Sequence, residues 1–170
     1  MVDGEHTALI RDLAAAVGAH LVAAGLKVTV AESCTGGLLA AALTDIPGSS
    51  AWFEAGFVTY APRAKHAVLG VPWERLAQAT IVSAPTAIAM ARGALGRGGA
   101  EVAVGVTGFA GPTGGTAACP VGTVAIGWVT ARGEQAQVCH FPGDRGAVRA
   151  QAVAAALAGL KDRLDQDFPR

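Results

Sequence analysis

The chain is poor in the residues that most often announce a function. It has three cysteines in 170 residues, Cys34, Cys119 and Cys139. An odd count without paired metal-ligand spacing excludes a disulfide framework and a zinc ribbon, and no metal or other cofactor is expected. Lysine occurs only at 27, 65 and 161, and Tyr60 is the single tyrosine, so a lysine or tyrosine beside a polar turn stands out. Aromatic residues make up only 5% of the chain, which leaves Ala, Val and Leu to build the core. Charge of one sign is not in excess, with 13 basic and 13 acidic residues. A nucleic-acid surface needs a basic surplus to neutralise phosphates, so no nucleic-acid partner is expected. No uninterrupted apolar run reaches transmembrane length. The N-terminus carries Asp3 and Glu5 without a basic flank leading into an apolar run, which is not the pattern of a signal peptide. Together these absences predict a cytoplasmic protein with reduced thiols and no membrane partner.

What is present is apolar and rich in glycine: 52% hydrophobic residues and 23 glycines. That balance suits a layered α/β protein with close helix–sheet contacts, and the length suits one domain over residues 1–170. Leu9, Leu13, Val17 and Leu21 repeat at helical spacing up to Gly25. A strand is expected over Leu26–Ala31, a short helix over Leu38–Leu43, and a second strand over Trp52–Tyr60. A helix of Ala64–Leu69 follows, with Pro62 where it can begin. Another helix runs over Ala84–Leu95, then a strand over Glu101–Val106 and a glycine-rich loop over Thr107–Thr116. Val121–Thr130 and Gln135–Phe141 read as a hairpin, and Val148, Ala152, Ala155, Ala156 and Leu160 mark one face of a final helix. Trp52, Phe53 and Trp73 offer bulk for a subunit interface, so a homo-oligomer, in the simplest case a dimer, is expected.

The chemistry is concentrated in Val28-Thr29-Val30-Ala31-Glu32-Ser33-Cys34-Thr35-Gly36-Gly37. A buried strand ends there in small polar side chains at a tight turn before a helix. At such a turn, orphan backbone N–H groups favour an anion or a nucleophilic oxygen. There is neither a Gly-x-Ser-x-Gly elbow nor a Walker lysine. The second polar turn, Thr107–Gly115, follows another strand. Turns at the carboxyl ends of neighbouring strands in an open sheet share one crevice, where ligands bind. Ser33 is the leading nucleophile, with Cys34 as the alternative. Serine needs an activating base, and no histidine sits in a polar turn, which favours Lys65, five residues beyond Tyr60. The bland alternatives are a helix-capping Ser33, a rim tyrosine and a solvated lysine. Glu32 either orients Lys65 or a ribose, or merely ends the strand. Arg145 and Arg149, one turn apart, have the spacing to grip a phosphate or to line a solvated helix face.

These segments resemble the CinA C-terminal domain family, the bacterial nicotinamide mononucleotide (NMN) amidohydrolases. The resemblance covers about residues 7–162. It rests on Ala31–Gly37, Pro47-Gly48-Ser49-Ser50, Tyr60 with Lys65, Leu69-Gly70-Val71-Pro72, Val82-Ser83, Val106–Pro112, Pro120–Val124 and Phe141–Arg145. It implies a single-domain three-layer α/β/α sandwich around a mostly parallel, mixed sheet. It further implies hydrolysis of the NMN carboxamide to nicotinate mononucleotide and ammonia, with Ser33, Tyr60 and Lys65 catalytic and no metal. The substrate would be held by Glu32, Thr35, Gly36, Gly37, Thr107, Gly108, Ala110, Gly111 and Arg145. The oxyanion would rest on amides of the Gly36-Gly37 turn or the Thr107-Gly108 loop. Two positions depart from the family pattern: Ala84-Pro85 stands where a glutamate is usual, and Cys119 where a basic residue is. The alternative reading is a nucleotide-binding regulatory module linked to competence or DNA damage, without turnover.

Overall fold

The structure, a computed structural model, describes residues 4–169; Asp3, which bears on the leader argument, lies outside them, as does the side chain of Glu5. Ten regular elements follow one another: α1 (Gly4–Ala24), β1 (Val28–Glu32), α2 (Leu38–Thr44), β2 (Phe53–Val58), α3 (Pro62–Leu69), α4 (Ala84–Gly98), β3 (Val102–Gly108), β4 (Thr123–Thr130), β5 (Gly133–His140) and α5 (Arg145–Asp167). The strands form one sheet in the order β2-β1-β3-β4-β5. β1 runs parallel to both β2 and β3, while β4 returns antiparallel and β5 pairs with it across a tight turn. Helical crossovers produce the parallel pairs, and the long loop after β3 and the β4–β5 hairpin produce the antiparallel ones, so only β4 runs against the other four strands of this mixed sheet.

Helices cover both faces. On one, Leu21, Leu39, Leu157 and Leu160 close over Val30, Val104 and Ile126. On the other, Leu69, Met90 and Ala94 cover Ala31. Each fully buried aliphatic side chain of this kind stabilises the fold by about 1.5–3 kcal/mol. The expected glycine-dependent close packing is real. A Cβ on Gly105 would lie 2.2 Å from the Ala87 carbonyl oxygen, and one on Gly127 2.8 Å from the Ala87 carbonyl carbon. α4 therefore rests directly on the backbones of β3 and β4.

Several sequence expectations are corrected here. Thr107 and Gly108 extend β3 instead of opening the loop, because they pair with Ala125 and Val124 of β4. Trp52 is buried in the core, with its ring against Gly18 of α1, and Phe53 packs partly against the same cluster. Of the three aromatics expected at an interface, only Trp73 is more than half exposed, and it stacks on His66 at 4.6 Å. By length and composition, α1 is apolar enough over His6–Ala24 to cross a membrane, with mean hydropathy 1.4. It packs against α5, and Ala14, Val17, His20 and Leu21 are completely buried there.

Candidate active site

Two backbone devices hold the turn after β1. Gly36 and Gly37 adopt positive φ of 59° and 98°, which lets the chain reverse from strand to helix within four residues. Glu32 anchors the turn from below. Its fully buried carboxylate accepts hydrogen bonds from the amides of Gly37 (3.0 Å), Leu39 (3.1 Å) and Ala40 (2.8 Å). An ionised carboxylate is well placed on the otherwise unpaired amides of a helix start. Glu32 thus caps α2, where the sequence suggested a contact to Lys65 or a ribose.

Alternation along β1 places Ser33 on the α4 side of the sheet, the side opposite Glu32. There it meets Lys65, which α3 carries inward beneath the end of β2. Lys65 is fully buried, and its Nζ lies 2.8 Å from Ser33 Oγ, 2.8 Å from the Thr59 carbonyl and 3.0 Å from the Tyr60 carbonyl. Burial lowers its pKa from 10.5 to about 8, since a charged amine loses solvation there and two carbonyls do not replace it fully. Cys34 is buried and packs with the core cluster of the opposite face, next to Gly108. Burial pushes its thiol up to about 12, with its own amide and the neighbouring Lys65 offsetting part of the effect. At neutral pH it is a thiol, not a thiolate nucleophile.

A cavity of about 290 Å³ opens at the carboxyl ends of β1 and β3. Ser33, Tyr60 and Lys65 all reach its wall, as do Cys34, Thr107, Gly108, Ala110, Gly111 and Arg145. Glu32, Thr35, Gly36 and Gly37 do not. The first caps α2, Thr35 is completely buried, and the Gly36 and Gly37 amides are already bonded to Ser33 O (3.0 Å) and Glu32 Oε2 (3.0 Å). The expected oxyanion role of the Gly36-Gly37 amides is therefore not available. Gly108 differs. Val106 O accepts from Ser33 N on the β1 side of β3 (3.0 Å). Two residues further along the strand the Gly108 amide faces the same side, beyond the end of β1.

Arg145, at the start of α5 where Asp144 caps the Ala147 amide, donates to Tyr60 Oη (2.8 Å) and to the Gly111 carbonyl (2.7 Å). The Tyr60 hydroxyl is thus directed at Arg145, and its carbonyl, not its hydroxyl, meets Lys65. Arg149 does not join Arg145 on a phosphate; its guanidinium donates to the carbonyls of Cys34 and Thr35, both at 3.1 Å. Sequence reasoning missed the Thr59 carbonyl, for which no side-chain signal exists, and the wall residues Ile81, Val82, Phe109 and Thr113. Two larger hollows, about 510 and 720 Å³, lie between α1, α2 and α5 and beside α3 and α4. Neither is lined by Ser33 or Lys65.

The chain matches the CinA C-terminal domain family over residues 10–164. It is 51% identical over 169 residues to the nicotinamide-nucleotide amidohydrolase PncC of Escherichia coli K12, covering 98% of this chain and 99% of that protein. It is 50% identical over 151 residues to the PncC of Pseudomonas putida, covering 89% and 94%. Among solved structures, the competence/damage inducible protein CihA from Agrobacterium tumefaciens superposes with a TM-score of 0.88 at 44% identity, over 93% of this chain and 96% of that one. A match over most of the length, with the same fold, settles membership: the chain belongs to the CinA C-terminal domain family.

Proposed function

We propose that the chain hydrolyses the carboxamide of NMN to nicotinate mononucleotide and ammonia, through an acyl-enzyme on Ser33 with Lys65 as the base. The observation that carries this reading is the 2.8 Å approach of Lys65 Nζ to Ser33 Oγ, with two further Nζ contacts taken by the Thr59 and Tyr60 carbonyls. A neutral amine in that setting keeps its two N–H bonds on the carbonyls and turns its lone pair to the serine hydroxyl. The substrate comes from the names of the relatives at 50–51% identity.

Neutral Lys65 takes the proton from Ser33 as Oγ attacks the carboxamide carbon. The nicotinamide ring of NMN is a pyridinium cation, which favours the neutral amine beside it. The tetrahedral oxyanion is held by backbone amides, of which Gly108 has the required orientation. Lys65 then returns the proton to the departing nitrogen, the C–N bond breaks and ammonia leaves. Water, deprotonated by the same amine, attacks the acyl carbon; the bond from that carbon to Ser33 Oγ breaks, Lys65 returns the proton to Oγ, and nicotinate mononucleotide leaves. Arg145 anchors the 5′-phosphate, exchanging its contacts with Tyr60 and Gly111 for phosphate oxygens, so that the carboxamide lies over Ser33. Tyr60 supports the site through its carbonyl on Lys65 and its hydroxyl on Arg145.

Ammonia release from NMN by the purified chain, beside Ser33→Ala and Lys65→Ala, tests the proposal. Turnover in the parent and loss by more than a thousandfold in both variants is the expected result, in line with the roughly 10⁴–10⁶-fold effects of removing nucleophile or base in serine hydrolases. Turnover that survives in Ser33→Ala overturns it.

A further inference from the structure

Thr107 takes no part in the steps above, yet it stands beside the nucleophile. β1 and β3 run parallel with Glu32 opposite Val106, so Ser33 and Thr107, one residue further along each, are neighbours about 5 Å apart across the sheet. Both side chains project on the α4 side. Two residues back along the same strands, Ala31 packs on Met90 and Gly105 lies against Ala87 of α4. Thr107 is buried, and its Oγ1 donates to the Ile81 carbonyl oxygen at 3.0 Å. A carbonyl only accepts, so the single hydroxyl hydrogen is committed to that bond. The Ile81 peptide is itself held, its amide donating to Ala77 O at 2.8 Å. Among the described residues no group donates to Thr107 Oγ1. Its lone pairs are therefore an acceptor beside Ser33, on a cavity wall that Thr107, Ile81 and Ser33 share.

We infer that Thr107 Oγ1 accepts an N–H of the substrate carboxamide, and so determines specificity for an amide over an ester or a carboxylate. This deepens the reading of Ser33 as nucleophile and rests on it. Consecutive residues of β3 offer opposite functions: the Gly108 amide only donates, and Thr107 Oγ1, with its hydrogen engaged, only accepts. A primary carboxamide carries the matching pair on one carbon, a carbonyl oxygen that accepts and an NH2 that donates. In the reversed orientation NH2 would face the Gly108 N–H and the carbonyl oxygen the Thr107 lone pairs, so one orientation is selected. The N–H given to Thr107 stays on nitrogen until ammonia leaves, and Thr107 neither gains nor loses a proton. The product presents a carboxylate, whose second oxygen meets the Thr107 lone pairs. Turning the hydroxyl toward it would strip the Ile81 carbonyl of its partner, and an unmet buried polar group costs affinity. The same contact holds the substrate and loosens the product.

The test compares NMN with the mononucleotide of methyl nicotinate, which presents the same acyl carbon but no N–H, in Thr107→Val and Thr107→Ser. Valine keeps the branched shape in the strand and deletes the hydroxyl; serine keeps the hydroxyl. Thr107→Val should lower kcat/KM for NMN by about 10–100-fold, the range for a buried donor left without an acceptor. Turnover of the methyl ester should change by less than about threefold, because it has no N–H to lose, and nicotinate mononucleotide should inhibit no more weakly than before. Thr107→Ser should keep NMN turnover within about fivefold of the unaltered chain. Damage to the fold, or to the Ser33–Lys65 pair, would lower amide and ester hydrolysis together. Equal losses on the two substrates therefore overturn the inference, as does full NMN turnover in Thr107→Val, or a loss in Thr107→Ser as large as in Thr107→Val. Where Thr107→Val does not fold, binding to Ser33→Ala reads the same contact. There NMN should bind about tenfold more tightly than the mononucleotide of 3-acetylpyridine, in which a methyl replaces the NH2, and equal affinities overturn the inference. Failure of the reading it rests on shows separately, as NMN turnover that persists in Ser33→Ala, whatever Thr107→Val does.

Discussion

The pH dependence of turnover follows directly from the surroundings of Lys65. The active form is the neutral amine, and burial places its pKa at about 8. At pH 7 about 9% of the enzyme then carries a neutral Lys65, and at pH 9 about 91%, so kcat/KM should rise about tenfold across that range and level off above it. An ordinary solvated lysine, titrating at 10.5, would be neutral in only about 0.03% of molecules at pH 7, roughly 300-fold fewer. The sign is fixed by the role: a base must lose its proton to act, so activity falls as pH drops through 8. The assay is ammonia release from NMN at substrate levels far below KM, from pH 6 to 9.5. The free-enzyme value can be read independently from the pH dependence of hemiacetal formation between Ser33 and the mononucleotide that carries pyridine-3-carbaldehyde in place of nicotinamide. Cys34→Ala should leave the profile in place, because burial is the larger cause of the shift and the cysteine acts in the opposite direction. A flat profile between pH 6.5 and 8.5, or a rising limb centred near 10, would refute the assignment of Lys65 as a pre-neutralised base.

Three other outcomes follow from the packing. Glu32→Gln puts an amide NH2 against one of the three backbone N–H groups now bonded to the carboxylate; leaving such a buried donor unsatisfied costs about 1–3 kcal/mol, seen as a lowered Tm in a thermal melt. Gly105→Ala forces a methyl to within 2.2 Å of the Ala87 carbonyl oxygen, and overpacking of this kind should cost about 1–3 kcal/mol in chemical denaturation with activity per folded molecule retained. Arg145→Ala should raise KM for NMN by about 10–100-fold through loss of a charge-assisted phosphate contact, with much less effect on the phosphate-free nicotinamide riboside; equal effects on the two substrates would remove Arg145 from the phosphate site.

Much of this protein was legible in its sequence because the determinants are local. The Leu9-Leu13-Val17-Leu21 stripe, the apolar run into Glu32 and Pro62 at the start of α3 each report a periodicity or a start signal that neighbouring residues alone enforce. Rarity made Lys65 and Tyr60 visible, and the turn chemistry of Ser33–Gly37 marked the site. The sequence could not show which way each group in that site would face. Whether Lys65 reaches Ser33 or solvent depends on α3 folding under the end of β2, and two of the groups that receive its nitrogen are backbone carbonyls. Glu32 and Arg149 both read as potential ligand contacts, and tertiary packing gave both to the nucleophile turn instead. Trp52 read as surface and became core, because Gly18 in α1 leaves room for its ring. Short-range chemistry thus determined the elements and the family, while the pairing of distant groups, decided only when the layers close, determined which residues touch the cavity and which hold it in shape.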